Sequence, residues 1–383
     1  MRHFNYITAL LVLGAAFACG KEPDDQTAGI RLSVEPDVYT KGAEFSEDQL
    51  SENAKLYVAG TLRDPQGRIS TPSTFLSGND PATAKLEHDS GRIWKFPDGK
   101  SVILPLGGYT FNALAYGADV DSGTVPDCWN PTLVAADAAS GMTFSNVDTY
   151  TTQVDMMYGA ANGISAANPQ GTLTLLHAQA MLIFNVKFTG EGTAFIIANG
   201  SVPKFALNDI LFVNNAGLLQ YLNGQTVTAA NIPLKTKGTF RVNNSLTTLS
   251  ADWSSLEAQD NKYAVNMAGA TDQKRSKSNL DSVQEKILHS GNWAQNLSWG
   301  VLYQVGNPLL VPEQPSLGFW VVYTYEGARY NTYVPIPEGT WKGGEKYIYN
   351  LEINRVGGAI TLRTAGHEIG GEYNPDNIDT NWD

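Results

Sequence analysis

Short runs in which apolar and polar residues alternate recur along the chain, and this period of two is typical of strands with one buried face. In the first run, residues 30–35, Ile30, Leu32 and Val34 alternate with polar residues. Further alternating runs lie at 109–116, 182–188 and 347–353. Helical spacing is scarce, and the best candidate is residues 280–287. The pattern predicts a mostly β protein.

The spacing of these runs indicates two domains. Residues 131–152 form a loose stretch, and the run at 154–159 resembles the last strand of a first domain. Residues 160–171 are small and polar, as in a linker, so we place a boundary after residue 160. The second block opens with a long strand pattern at 173–188, with a bulge or break expected near His177. The predicted domains are residues 29–160 and 161–383.

Composition excludes some partners. The 383 residues are 42% hydrophobic and 17% charged, which suits folded domains with ordinary cores. The formal net charge is -12 and the basic residues are scattered, so the chain lacks the basic surface that a nucleic acid requires. Nucleic acid is not an expected partner.

The N-terminus has the pattern of an export signal. Basic residues precede an apolar run at 7–17, which is too short for a stable membrane span. Cys19 follows small residues directly, as in a lipobox, so residues 1–18 read as a lipoprotein signal peptide and Cys19 as the acylated N-terminus. The alternative is an ordinary signal peptide beside a buried thiol. Cys128 is the only other cysteine, so a lipidated Cys19 rules out an intrachain disulfide.

Residues 19–28 then form a polar, acidic tether, which resembles the signal that sends some lipoproteins to the outer face of the outer membrane. A solvated linker is the simpler reading of the same residues, and the two readings are compatible.

No arrangement of residues indicates catalysis or a bound cofactor. The five histidines lack metal-ligand spacing, and His177 reads as a sheet residue with its hydrogen bonds made. A hydrolase would need paired carboxylates, which a sequence does not locate, so an enzyme is the last choice. Trp129, Trp293 and Trp299 lie in loop-like sequence and are candidate glycan contacts, which leaves a surface glycan-binding lipoprotein as the alternative function.

Several motifs together resemble the fimbrillin family of type V pilins. They are the lipobox with its acidic follow-on, Asp-Met-Met-Tyr-Gly at 155–159, Leu-Leu-His-Ala-Gln-Ala-Met-Leu-Ile-Phe at 175–184, Leu-Val-Pro-Glu-Gln-Pro at 310–315, and Trp-Lys-Gly-Gly-Glu-Lys-Tyr-Ile-Tyr-Asn-Leu at 341–351. The resemblance implies two transthyretin-like β-sandwich domains. It also implies a structural or adhesive subunit of a fimbrium, a lipoprotein at the outer membrane and cell surface.

The resemblance further implies assembly with other fimbrial subunits by β-strand complementation, with the receptor left open. In the family a trypsin-like, usually Arg-specific protease removes the N-terminal strand, and a C-terminal strand of another subunit fills the groove. Here the displaceable strand contains Ile30, Leu32 and Val34. The candidate donor strand contains Ile360, Leu362 and Ile369, and it reads as short and interrupted by glycines such as Gly366.

The candidate cleavage positions depart from the family pattern. Lys41 stands where an arginine is usual, and the nearest arginine, Arg31, lies inside the strand. This departure favours an accessory, anchor or tip subunit over a polymerising shaft subunit.

Overall fold

The described structure lies between residues 31 and 369 and has several gaps. The computed structural model describes residues 31–36, 54–69, 85–96, 104–118, 125–133, 141–190, 198–199, 202–203, 205–266, 302–325, 327–356 and 359–369. Among these residues no helix combines the length and the apolar character needed to cross a membrane. The predicted helix at 280–287 lies outside the described residues.

Strands dominate the described residues, which confirms the mostly β prediction. In the first half they are β1 Arg31–Pro36, β2 Lys55–Arg63, β3 Glu87–Ser90, β4 Ile93–Lys95, β5 Thr110–Ala118, β6 Thr132–Leu133, β7 Gly141–Asp148, β8 Met157–Ile164 and β9 Gln170–His177.

The strands of the second half are β10 Ala180–Gly190, β11 Ala198–Asn199, β12 Val202–Pro203, β13 Phe205–Leu211, β14 Lys237–Asn244, β15 Leu249–Glu257, β16 Leu302–Gln304, β17 Leu309–Val311, β18 Gln314–Pro315, β19 Phe319–Tyr325, β20 Ala328–Val334, β21 Thr340–Trp341, β22 Lys346–Val356 and β23 Ala359–Ile369.

Helices are short. The one-turn helix α1 spans Thr149–Thr152, α2 spans Asn215–Leu222, and two 3-10 turns span Asp127–Trp129 and Ala229–Asn231. The side chain of Asn214 caps α2 by accepting a hydrogen bond from the Gly217 backbone N–H at 2.8 Å.

A seven-stranded sheet in the order β2-β5-β8-β9-β1-β4-β3 curls until its two ends meet. Lys85, just before β3, bridges to Tyr57 of β2, and the Leu86 backbone N–H donates to the Leu56 carbonyl oxygen at 2.8 Å. The inside of this closed sheet is apolar and includes Leu56, Phe111 and Leu173. A first core is therefore enclosed by a single sheet.

The outer face of the same sheet is covered by a second sheet, in the order β15-β14-β7-β6. Aromatic pairs fill the space between the sheets: the Tyr116 and Phe144 ring centroids lie 5.1 Å apart, and those of Tyr158 and Phe240 lie 5.3 Å apart. Both faces of β5 are thus buried, because Phe111 and its alternating neighbours point inward while Tyr116 points toward the second sheet.

The second half of the chain packs two other sheets face to face. The sheet β16-β10-β22-β23, with β17 also on β10, lies against β13-β19-β20. Phe184 packs edge-on against Phe319 with ring centroids 5.1 Å apart, and Phe212 does so against Trp341 at 5.7 Å. The predicted shared face of the 347–353 run is confirmed, since its alternate residues belong to this core.

Three sequence readings are corrected by the strand order. Residues 160–171 are not a linker: they complete β8, turn, and begin β9 in the same sheet, so the boundary at 160 falls inside a hairpin. Their small residues serve packing, since Ala161 lies in the closed core. The stretch 131–152, which the sequence suggests is loose, contains β7. The sequence pattern also does not reveal β14, which pairs with β7, or β15, which pairs with β14.

The predicted break near His177 is confirmed, and it forms the joint between the two halves. β9 ends at His177 and β10 begins at Ala180 in a different sheet. The buried Gln179 side chain accepts from the Met156 backbone N–H at 2.7 Å and donates to the Val154 carbonyl oxygen at 3.3 Å. The Trp253 indole N–H donates to the Ala178 carbonyl oxygen at 2.7 Å.

The joint yields a stability prediction. Gln179→Met keeps the volume but leaves the buried Met156 N–H without an acceptor, so we expect a loss of about 1–3 kcal/mol in the free energy of unfolding. The exposed Gln66 provides the matched control, and Gln66→Met should change stability by less than about 0.5 kcal/mol. Urea unfolding of both variants measures this, and equal effects would contradict the role given to Gln179.

Candidate assembly site

The N-terminal strand β1 lies inside the closed sheet between two partners. It pairs in parallel with β9, from Arg31 opposite Gln170 to Pro36 opposite Leu175, and antiparallel with β4, from Arg31 opposite Lys95 to Ser33 opposite Ile93. Neighbouring strands lie about 4.8 Å apart, so without β1 the edges of β9 and β4 would face each other across about 10 Å. That gap is one strand wide.

Leu32 holds β1 to the core. Its side chain has no exposed surface, and it lies opposite Trp94 on β4 and Gly171 on β9. Burying a leucine contributes roughly 1.5–3 kcal/mol. The prediction of a strand at residues 30–35 is confirmed, although Ile30 lies outside the described residues.

Gly171 makes room for this packing. A Cβ at this position would lie 2.6 Å from Ile164 Cδ1 and 3.1 Å from Leu32 Cδ2, closer than atoms in van der Waals contact. The sequence pattern places Gly171 in a linker and does not reveal this role. The sequence does show a glycine just before the alternating leucines of β9. Its role becomes visible only with the register of β1, which places Leu32 opposite this glycine.

The candidate donor strand lies at the other end of the chain. β23 is one continuous strand of 11 residues, not short and not interrupted at Gly366. The register against β22 shifts beside the glycine, since Gly366 lies opposite Asn350 and Thr364 opposite Leu351, which leaves Ala365 as the extra residue of a bulge. Among the described residues β23 is an edge strand, hydrogen-bonded to β22 on one side.

The partner strand β22 is fixed more firmly. Trp341 Nε1 donates to the Tyr349 hydroxyl oxygen at 2.6 Å, and burial raises the pKa of Tyr349 to about 12. Leu362 of β23 lies opposite Ile353 of β22, and Ile360 lies opposite Arg355. β22 is therefore part of the rigid core, whereas β23 adds to its edge. Whether β23 serves as a donor stays a prediction.

The other candidate residues divide by position. Cys19 and Lys41 lie outside the described residues, and Arg31 is the first residue of β1, as predicted. Trp293 and Trp299 also lie outside them. Trp129 is completely buried in the core between the first two sheets, so its ring has no face for a sugar and its prediction as a glycan contact is wrong.

His177 is a buried sheet residue, with Nδ1 2.6 Å from a carboxylate oxygen of Asp155. Within the described part of the chain, no third histidine, cysteine or carboxylate lies close enough to this pair to complete a metal site. The features that stand out are thus the strand β1, which lies between two neighbours in the closed sheet, and the edge strand β23.

Comparison with known proteins gives a family. Residues 68–369 match the family described as Fimbrillin-like. The match begins after β1, so it covers neither Cys19 nor the strand β1. No curated protein is recognisably similar in sequence.

Three solved structures align with most of this chain. A fimbrial protein from Bacteroides vulgatus is 12% identical, with 90% of this chain and 99% of that chain covered and a TM-score of 0.42. A fimbrial assembly protein from Parabacteroides distasonis is 12% identical, with 89% and 98% covered and a TM-score of 0.32. The fimbrial anchor protein Mfa2 from Porphyromonas gingivalis is 7% identical, with 90% and 97% covered and a TM-score of 0.29.

The strand β1 leads to a stability prediction. Leu32→Ala should lower the free energy of unfolding by about 2–5 kcal/mol, because it leaves a cavity in the closed core. Leu219→Ala is the matched control, since Leu219 is 61% exposed on α2, and it should change stability by less than about 0.5 kcal/mol. Thermal and urea unfolding measure both variants. A Leu32→Ala protein as stable as its control would show that β1 is not held through this side chain.

Proposed function

Because the chain belongs to the fimbrillin-like family, we propose that it is a structural or adhesive subunit of a fimbrium on the cell surface, and not an enzyme. The observation that carries the proposal is the family match over residues 68–369. The position of β1 supports it, since a strand next to the N-terminus that completes a sheet is a natural site for strand exchange between subunits.

We further propose that Cys19 is acylated and holds the subunit at the outer membrane, after removal of residues 1–18. Each buried CH₂ adds about 0.8 kcal/mol to membrane binding, so several acyl chains on one cysteine anchor firmly. The residues between Cys19 and β1 reach at most about 40 Å when fully extended. The closed sheet would then stand close to the membrane on the acidic tether at 19–28.

The lipid and β1 lie on the same side of the candidate cleavage position. A cut after Lys41 would release the fold from its anchor and remove β1 at the same time. An uncut chain would keep both. It would remain attached to the membrane with its groove filled by its own strand.

The arginine positions favour the uncut form. The sequence has no arginine between Arg31 and Arg63. Arg31 is paired on both sides within the sheet, and a cut there would leave Leu32 and the rest of β1 attached to the chain. Arg63 ends β2 within the same sheet. An Arg-specific protease therefore finds no arginine in the segment between β1 and β2, so we propose an anchor, accessory or tip subunit.

Metabolic labelling tests the anchor. Cells that express the chain should incorporate palmitate into it, and Cys19→Ala should abolish the label. Cys128→Ala provides the matched control, because Cys128 lies half-buried in the folded protein and should not affect labelling. A label that survives Cys19→Ala, or is absent from the native chain, would refute the lipid anchor while leaving the fimbrial role open.

Protease treatment tests the uncut state. An Arg-specific protease should leave the native chain intact near its N-terminus, whereas Lys41→Arg should yield a mature N-terminus at Gly42. Lys55→Arg is the matched control, since Lys55 is paired with Ala118 in the sheet and an arginine there should resist cutting. Mass spectrometry identifies the termini.

Electrophoresis of the same samples in SDS without heating shows whether the subunits assemble, because SDS-resistant polymers appear as a ladder of bands. Ladders should form with cleaved Lys41→Arg protein and not with the native chain, because only the cleaved form has an empty groove. Ladders from uncut native protein would contradict the anchor assignment, and an N-terminus at Gly42 in native protein would contradict the protease argument.

A further inference from the structure

β20 is an edge strand with an unusually regular backbone. The other described edge strands of more than three residues are β2, β3, β13, β15 and β23. β3, β13, β15 and β23 each have a register shift against their neighbours, and β2 is met on its outer side by Lys85. β20 pairs with β19 from Ala328 opposite Tyr325 to Val334 opposite Phe319, with no shift. Bulges and coverage normally protect edges from pairing with other chains. Within the described part of the chain β20 has no bulge, and no strand is hydrogen-bonded along its outer side.

The hairpin geometry determines which backbone groups of β20 point outward. Tyr325 pairs with Ala328, so two residues separate β19 from β20, and the second of them, Gly327, has φ 81. In such hairpins the flanking residues form a hydrogen-bonded pair, and the bonding direction then alternates along the strand. The outward N–H and C=O groups therefore belong to Arg329, Asn331 and Tyr333.

The side chains of β20 do not block this edge. No acidic residue lies between 328 and 334, although the chain has a net charge of -12. The one charged side chain, Arg329, has its guanidinium 5.0 Å from the Tyr221 ring centroid on α2. Tyr330 and Tyr333 are 44% and 49% exposed, and the first proline follows at position 335. The nearby strand β23 is hydrogen-bonded to β22 and has no ladder with β20.

We propose that β20 pairs antiparallel with β20 of a second copy of this chain, about a twofold axis at Asn331. In this register each outward group meets an outward group: Asn331 lies opposite Asn331, and Arg329 lies opposite Tyr333 of the second copy. Three hydrogen-bonded pairs give about six ladder bonds. A twofold at Thr332 would give only two such pairs and would place Arg329 opposite Pro335, which has no N–H to donate.

The charge pattern supports a second copy as the occupant. The pairing places no two charges of like sign opposite each other, because each Arg329 faces a tyrosine. It joins β13-β19-β20 and its symmetry mate into one six-stranded sheet. This contact is separate from the groove of β1, so it would associate copies laterally without using the strand exchange proposed above.

Cysteine crosslinking on intact cells tests the register with the full chain in a Cys128→Ala background. Across the twofold, Asn331→Cys places the two Cα atoms about 5.5 Å apart, within disulfide range. Thr332→Cys is the matched control, because its Cα atoms would lie about 8 Å apart, beyond that range. We expect about tenfold more disulfide-linked dimer for Asn331→Cys, and only background dimer without an added cysteine.

A second variant separates edge pairing from folding. Asn331→Pro removes an outward N–H that β19 does not use, so it should keep the thermal unfolding midpoint while abolishing the concentration-dependent dimer in sedimentation equilibrium. Equal crosslinking at positions 331 and 332 would overturn the proposal. So would a native chain that stays monomeric at every concentration, because this edge would then be covered by another partner or by the chain's own remaining segments.

Discussion

The closed sheet of the first half depends on the backbone ladder that β1 makes with β9 on one side and β4 on the other. β1 connects two parts of this sheet. On one side of it lie the long strands β9, β8, β5 and β2, and on the other side lie the short strands β4 and β3. If this link is lost, the enclosed core around Phe111 and Leu173 opens to water. The stability of the closed sheet therefore depends on β1, the first of the described strands.

The second half has a different dependence. Its core includes large aromatic side chains such as Phe184, Phe319 and Trp341, and β23, the last of the described strands, lies at a sheet edge. The first and the last of the described strands thus have different positions. β1 closes a sheet from within, whereas β23 lies at the edge of one.

The sequence predicted those strands whose alternation is apolar, because burial on one face leaves a period of two that is visible without the fold. β1, β5 and β22 are of this kind. It missed β7, β14 and β15, since residues such as Thr, Ser and Asn fill their outer faces and the apolar positions are few. It also read Ala161 and Gly171 as linker residues. Small residues mark close packing as well as loops, and only the register between strands tells the two apart.

If β1 is retained as proposed, it has a thermodynamic consequence for strand exchange. While β1 stays connected to the chain, it competes for the groove as an intramolecular strand, and tethered segments act at effective concentrations of about millimolar. In the proposed strand exchange, a strand from another subunit would have to displace β1 against both the ladder with β9 and the buried Leu32. Cleavage would remove this competitor outright. The choice between a subunit that extends a fibre and one that ends it can therefore lie in a few residues between β1 and β2, with no change in the fold itself.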